Sequence, residues 1–323
     1  MNCFVRQALI AFSAISLLCS CGNGKDIRLL YWNIQNGMWS DQGNNYDNFV
    51  EFVKSQDPDV CVWCEAKTHY KTDSAESFKP DDDLYLTSHW DELAARYGHK
   101  YVFVGGENDF FPQVITSKYP IDPVARITGS QDSVWVSHGA GWATIKLGGK
   151  KVNFVTLHTW PQKYYYGLRY NTPKEVQDSS IANHGGDRFR AKEMKFICDT
   201  TIANAVDADS EYWLMMGDFN AKTRLDNYHY GWPADTAAFW VHDVVLNNTP
   251  YHDILAEKKA GEFYPSHANK TRIDFVYASK AALDCVTDIN ILSDGWSAAK
   301  RHPIVKKFHT PSDHLPIVVD FKF

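Results

Sequence analysis

The stretch Leu214-Met215-Met216-Gly217-Asp218-Phe219-Asn220 constrains the fold more than any other part of the chain. Tyr212 to Met216 is apolar without alternation, the pattern of a strand covered on both faces. Such a strand needs a sheet with a further layer on each side. Gly217 allows a close backbone approach. Asp218 and Asn220 stand two apart, so an extended chain points both the same way, placing a carboxylate and an amide at the end of a core strand. The same residues also read as a turn closed by an Asx hydrogen bond. The two readings separate on whether other strands of the chain also end in polar groups.

Several do. Ile27 to Asn33 reads as a strand ending at Asn33, and Val60 to Glu65 as a buried strand ending at a carboxylate. Lys151 to Leu157 runs into His158, and Gly148-Gly149 joins it to Trp142–Leu147 as a two-residue hairpin signal. Tyr101 to Val104 and Val114 to Ser117 are further strands. Arg272 to Tyr277 carries Asp274 near its start, and a turn presents Asp313 and His314 ahead of a final strand. Helical spacing appears over Tyr46–Ser55, over Ser88–Tyr97 with Ser88 as a candidate N-cap, and over Arg188–Ala205. Trp160–His184 and the stretch after Asn220 to about Pro250 read as long, aromatic-rich irregular connections, where function often concentrates. The 323 residues, 44% hydrophobic and 14% aromatic, suffice for one large α/β domain over residues 27–323. One domain with two packed sheets and outer helices is the economical architecture.

The first twenty residues stand outside that fold. Arg6 and the apolar run Ala8 to Leu18 fit a signal peptide, and a run that short does not span a bilayer. Leu18-Cys19-Ser20-Cys21 is similar to the lipobox of bacterial lipoproteins, with Cys21 the acylated residue and residues 21–26 a tether. An ordinary cleaved signal is the other reading. Both give an exported protein, and the lipobox would place it in the bacterial cell envelope as a lipoprotein, at the outer membrane or in the periplasm. The net charge of -6 argues against a stable complex with long nucleic acid, which favours a basic face. A monomer is expected. Cys61 and Cys64 show a redox or zinc-like spacing, but residues three apart on a strand face opposite sides, and no second such pair completes a four-sulfur site. They read as buried, inert thiols.

In order, the words Trp-Asn-Ile-Gln, Cys-Glu-Ala, Leu-His-Thr, Gly-Asp-Phe-Asn, Arg-Ile-Asp-Phe and Ser-Asp-His-Leu-Pro-Ile resemble the endonuclease/exonuclease/phosphatase superfamily, the DNase I-like fold. The resemblance runs from about Ile27 to the end and implies an α/β four-layer sandwich, two packed mixed β-sheets flanked by helices, and a divalent-metal-dependent phosphoric ester hydrolase, a phosphodiesterase. It gives Asp274 the role of carboxylate partner to His314, and His158 that of contacting phosphate or protonating the leaving group. The chemistry also follows from the residue types. Glu65 and Asn33, with Asp313, offer hard oxygen ligands suited to one Mg²⁺ or Mn²⁺ ion. Asp218 is ionised at neutral pH by its reference value and can align and deprotonate a water. Asn220 can hold that water or a phosphate oxygen, and His314 can donate to a non-bridging oxygen. Gln35 stands where some nuclease branches carry a further acidic metal ligand, which argues against a second ion. His138, Trp160 and Arg188 are candidates to line the phosphate site. His138, His184 and His267 otherwise read as surface or structural. The substrate would be a lipid headgroup, a nucleic acid, or a sugar or inositol phosphate. A catalytically silent lipoprotein that binds a ligand with the same fold is the alternative. The aromatics of Trp160–Tyr170 and Tyr228–Trp240 could stack on a substrate, enter a membrane interface or pack the core.

Overall fold

The computed structural model describes residues 24–68, 70, 89–129, 134–168 and 171–323. The expected signal segment, Cys21, the Ser88 cap and most of the polar stretch from Lys67 to Leu84 lie outside the described residues.

Among the described residues the strands are β1 (Asp26–Asn33), β2 (Val60–Cys64), β3 (Tyr101–Val104), β4 (Val114–Ser117), β5 (Ile121–Gly129), β6 (Trp135–Leu147), β7 (Lys150–His158), β8 (Tyr212–Asp218), β9 (His252–Asp253), β10 (Asp274–Ala278), β11 (Val286–Ile291), β12 (Lys300–Arg301), β13 (His309–Thr310) and β14 (Ile317–Lys322). They form two six-stranded sheets, in the orders β11-β14-β1-β2-β4-β3 and β5-β6-β7-β8-β10-β9, and a small ribbon of β12 and β13. Each large sheet is mixed. β1 pairs parallel with β2 and antiparallel with β14, while β7 pairs parallel with β8, and β8 antiparallel with β10.

The unbroken apolar runs have a direct cause. Leu29, Tyr31, Val62 and Cys64 point into the space between the sheets, where they meet Phe154, Leu214 and Met216. The alternate residues Leu30, Trp32, Cys61 and Trp63 point outward onto Phe49, Val53 and Leu93, which belong to helices Asp47–Gln56 and Trp90–Arg96. On the second sheet, Trp213 and Met215 point outward onto Met194, Ile197, Val241 and Val245, from helices Gly185–Thr200 and Trp240–Asn248. Both faces of β1, β2 and β8 are therefore buried, and each large apolar side chain contributes about 1.5–3 kcal/mol. The result is helix, sheet, sheet, helix, as the sequence pattern implies.

Several elements differ from the sequence expectation. β6 begins seven residues before Trp142, and β5 and β11 were not anticipated. The helix expected from Arg188 starts at Gly185 and stops at Thr200, short of Ala205. Helices Lys174–Ala182 and Trp240–Asn248 occupy stretches expected to be irregular, because their apolar spacing is hidden by interleaved polar and aromatic residues. Asn220 is not extended but lies in the left-handed region at φ 45°. Cys61 and Cys64 face opposite layers, and burial pushes both thiols up.

Candidate active site

Strand register carries the polar strand ends to one edge. Asn33 lies opposite Cys64 across β1 and β2, with Glu65 the next residue. His158 lies opposite Asp218 across β7 and β8, and Asp274 opposite Asp218 across β10 and β8. His314, on the turn before β14, bridges to His267. Hydrogen bonds then cross from sheet to sheet. Asn33 Nδ2 donates to Asp218 Oδ2 at 3.2 Å and sits 3.3 Å from Glu65 Oε1. Tyr31, two residues before Asn33 and on the same face, donates its hydroxyl to Asp274 Oδ1 at 2.8 Å.

Asp274 is the most tightly held of these groups. Its other oxygen accepts from Ser266 Oγ at 2.7 Å and lies 2.7 Å from His314 Nδ1. His314 Nε2 then lies 3.6 Å from Asp218 Oδ2. Burial alone would lower the His314 pKa, but Asp274 and then Asp218 outweigh it, so the ring is held charged well above its usual range. Asp218 is pushed up to about 7 by burial, with Asp274 and Glu65 adding to the rise and the charge of His314 opposing it. Asn220 N–H closes an Asx turn onto Asp218 Oδ1 at 2.9 Å, and Asn220 Nδ2 donates to Thr159 O at 3.0 Å. The turn reading and the site reading of Gly-Asp-Phe-Asn are both present: the turn fixes one Asp218 oxygen and leaves the other facing the histidines.

His158 Nε2 lies 3.5 Å from Asp218 Oδ2. Burial first, then the charges of His138 and His314, lower its pKa well below the usual value, so the ring is neutral. His138 is the opposite case. Burial opposes its charge, but Asp109, 2.6 Å from Nδ1, raises its pKa. The two rings lie 4.2 Å apart between centroids, and His138 Nε2 and His158 Nδ1 are both buried without a hydrogen-bond partner.

Glu65 lies in the left-handed region at φ 54°, a conformation costing about 1–3 kcal/mol for a residue that is not glycine. The strain aims its carboxylate at the loop after β1, where Asn36 N–H donates to Oε2 at 2.9 Å. Burial, then Asp313, raises the Glu65 pKa, against the charge of His314. Asp313 is held down at about 2, because His267 and His314 outweigh its burial, and His267 Nε2 lies 3.5 Å from Asp313 Oδ2. Glu65 feels the charge of Asp313, and carboxylate oxygens are the donors a hard divalent cation takes, although Glu65 belongs to neither of the close ligand groups that follow. Within 4.8 Å of one another lie ligand atoms of His267, Asp313 and His314, and likewise of Asp218, Asp274 and His314. Asn33 Oδ1 accepts from Gln35 N–H at 3.1 Å, so this amide turns its nitrogen toward Glu65 and Asp218. Service as an oxygen ligand requires it to rotate. Gln35 accepts from His309 N–H through Oε1 at 3.1 Å.

The outer candidates divide. Trp160 N–H donates to Glu193 Oε1 at 2.6 Å, its indole nitrogen donates to Tyr164 O, and its ring packs on Tyr166 and Phe189. Its ring centre lies 6.4 Å from His138, but the indole donor is already used. Arg188 lies elsewhere. Its guanidinium stacks on Trp240 at 5.3 Å and its Nε donates to Asn183 O. Two residues on, about 200° around the helix, Arg190 turns back toward Asn220. Sequence reasoning missed Arg190, Ser266, Asp109 and Tyr31. Only Tyr31 left a signal, its two-residue spacing from Asn33. His267, expected to be structural or on the surface, touches Asp313.

A two-sheet fold whose strand ends bring together carboxylates, an amide and charged imidazole defines a class of phosphoester-hydrolysing enzymes. The chain belongs to the Endonuclease/Exonuclease/phosphatase family, whose model matches residues 30–314. Its fold is similar to that of an AP endonuclease from Archaeoglobus fulgidus, with TM-score 0.58 and 16% identity over 92% of this chain and 100% of that one. It is also similar to a 3′ phosphatase from Neisseria bound to a product DNA hairpin, with TM-score 0.55 and 16% identity over 92% and 100%. A family protein from Bacteroides thetaiotaomicron gives TM-score 0.54 and 16% identity over 94% and 99%. None of the curated proteins compared with the chain matches it.

Proposed function

We propose that the protein is an exported, divalent-metal-dependent phosphodiesterase in which Asp218 activates the attacking water. The observation that carries this reading is the arrangement about Asp218 Oδ2. It lies 3.5 Å from neutral His158 and 3.6 Å from charged His314, and it accepts from Asn33. A general base needs an open acceptor with a pKa near the working pH, and burial moves Asp218 toward that value.

Glu65 and Asp313, with Asn33 after rotation of its amide, would hold one Mg²⁺ or Mn²⁺ ion. When bound, the ion supplies Lewis-acid polarisation of a phosphoryl oxygen. The chain does the rest. Asp218 aligns the water and takes its proton. His314, kept charged and oriented by Asp274, donates from Nε2 to a non-bridging oxygen as charge builds there. Asn220, fixed by Thr159, borders the water or phosphate position. Neutral His158 contacts the phosphate, while the charged His138–Asp109 pair is the stronger proton source for the leaving oxygen. Among the described residues no helix is long and apolar enough to cross a membrane. Membrane attachment in this reading rests on Cys21.

The test is hydrolysis by the mature protein of single-stranded DNA, RNA, sphingomyelin, phosphatidylinositol phosphates, sugar phosphates and bis(p-nitrophenyl) phosphate, each with Mg²⁺ and with EDTA. Turnover of one class, abolished by EDTA, is expected. Turnover of none supports a silent ligand-binding protein and sinks the hydrolase reading.

A further inference from the structure

His138 and His158 stand where the sheet stops holding their segments together. The pairing of β6 with β7 runs from Leu147 opposite Lys150 to Ala140 opposite Leu157 and ends there. His138 lies two residues beyond that end and His158 one. His158 still pairs with Asp218 of β8 on its other side. Ladder bonds between β6 and β7 therefore do not set the 4.2 Å between the two rings. Glu193 spans the gap. It is fully buried on helix Gly185–Thr200. Its Oε2 accepts from Ser137 N–H at 2.9 Å and from Ser137 Oγ at 2.8 Å, and its Oε1 accepts from Trp160 N–H at 2.6 Å. Ser137 precedes His138, and Trp160 follows His158 by two residues, so one carboxylate ties both segments to the helix. Arg190, three residues earlier on the same helix face, holds Trp160 from its carbonyl side, where Nη1 donates to Trp160 O at 2.8 Å.

The residue type carries the argument further. A buried carboxylate is costly. Burial pushes the Glu193 pKa up to about 7, against the donors of Ser137 and Trp160 and the charge of His138. A glutamine costs less to bury, but it keeps one acceptor oxygen and turns an N–H group toward Ser137 or Trp160, both of which donate. A carboxylate accepts from both segments at once. The influence also runs the other way. Burial opposes the charge on His138, Asp109 outweighs it, and Glu193 and then Glu65 add to the rise. We propose that Glu193 is a positioning residue for protonation of the leaving group: it fixes His138 against His158 without touching the substrate. This rests on the phosphoesterase reading of the site.

Turnover by the full mature chain is compared on the best-cleaved alkyl ester of the panel above and on bis(p-nitrophenyl) phosphate. Glu193→Gln is expected to lower kcat on the alkyl ester about tenfold and on the p-nitrophenyl ester much less, since that leaving group needs no proton. With Glu193→Gln and His138→Gln combined, the alkyl ester should be cleaved no more slowly than with His138→Gln alone, as for groups that act as a unit. Ser137→Ala removes one donor and keeps the carboxylate, and should show the same pattern at about threefold. Where Glu193→Gln does not fold, Ser137→Ala decides. Equal slowing of both esters, an additive loss in the combined variant, or no slowing of the alkyl ester overturns the proposal. The His138 ring, titrated by NMR, gives a readout independent of turnover. Its pKa should fall by about one pH unit in Glu193→Gln, and an unchanged titration overturns the proposal. No turnover of any ester by the unaltered chain, with that fall still seen, supports the hold of Glu193 on His138 and removes the hydrolase reading instead.

Discussion

The two flanks of the Asp218 carboxylate are built to different rules. On the Asp274 side the hydrogen bonds are closed. Both Asp274 oxygens have partners, and His314 faces a carboxylate from each ring nitrogen. On the His158 side they are open. His158 Nδ1, His138 Nε2 and Arg190 Nε are buried and unpaired. Buried polar groups are ordinarily satisfied. A closed flank holds its geometry before any ligand arrives, which is what electrostatic stabilisation of a transition state requires. An open flank is arranged for atoms that the fold itself does not supply. The contrast separates machinery from reception within one pocket, and substitutions on each side test it.

Asp218 belongs to both flanks, and its loss has the largest expected effect. Asp218→Asn keeps the shape and removes the base, so kcat should fall about 10²–10⁴-fold with the circular dichroism spectrum unchanged. Wild-type turnover in this variant would break the reading at its centre. The closed flank comes next. His314→Gln should cost about 10²–10³-fold in kcat. The pH profile sharpens the point. Activity should rise as pH passes about 7, where Asp218 gives up its proton. It should persist until His314 loses its proton, well above that group's usual value. In Asp274→Asn the alkaline limb should move down toward neutrality. Stability follows the same sign. Because His314 binds its proton more tightly when folded, its contribution is complete below the unfolded value and is lost as pH rises through the folded one. Urea midpoints of the parent protein should therefore fall at alkaline pH, and Asp274→Asn should flatten that fall.

On the open flank, the charged histidine should matter more than its neutral neighbour for poor leaving groups. His138→Gln is expected to slow an alkyl ester about 10–100-fold while slowing a p-nitrophenyl ester much less, since that leaving group needs no proton. His158→Gln should slow both esters alike if it only contacts phosphate. The opposite pattern would assign the proton to His158 and show that the Asp109 pairing serves structure.

The closed flank was also the more legible in the sequence. Asp218 closes one apolar run, Asp274 opens another and His314 stands just ahead of a third, as Glu65 and, on the open flank, His158 close theirs, and the runs are apolar because both faces of the central strands are covered. Strand register then brings their ends together without further information. The partners were not legible for the same reason in reverse. Ser266 and Asp109 lie outside any periodic element, and their contacts depend on how distant loops meet. The left-handed turn at Glu65 could not be read from a residue type that rarely adopts it, whereas Asn adopts it more readily than most, and at Asn220 the two-residue spacing from Asp218 read equally as an extended strand or as an Asx turn. Arg188 shows the cost of a helix boundary placed three residues late. Once the start at Gly185 is known, the face of each arginine is fixed by rotation alone.

That rotation yields the smallest prediction and the most discriminating control. Arg188 lies over Trp240 with Tyr165 and Lys192 beside it, on a surface apart from Asn220. Its stacking ties the start of helix Gly185–Thr200 to helix Trp240–Asn248, and its bond to Asn183 O ties it to the end of helix Lys174–Ala182. Arg188→Ala should lower stability by about 0.5–1 kcal/mol, the scale of an exposed cation–π contact, and leave kcat and KM unchanged. Arg190→Ala removes bonds to Trp160 O, Gln162 O and Asp187 from a buried position, and leaves Asp187 without its partner. It should cost about 3–5 kcal/mol and raise KM as well. Equal effects of the two substitutions on KM would mean that the helix face assigned to the substrate is wrong. The open flank would then end at His158.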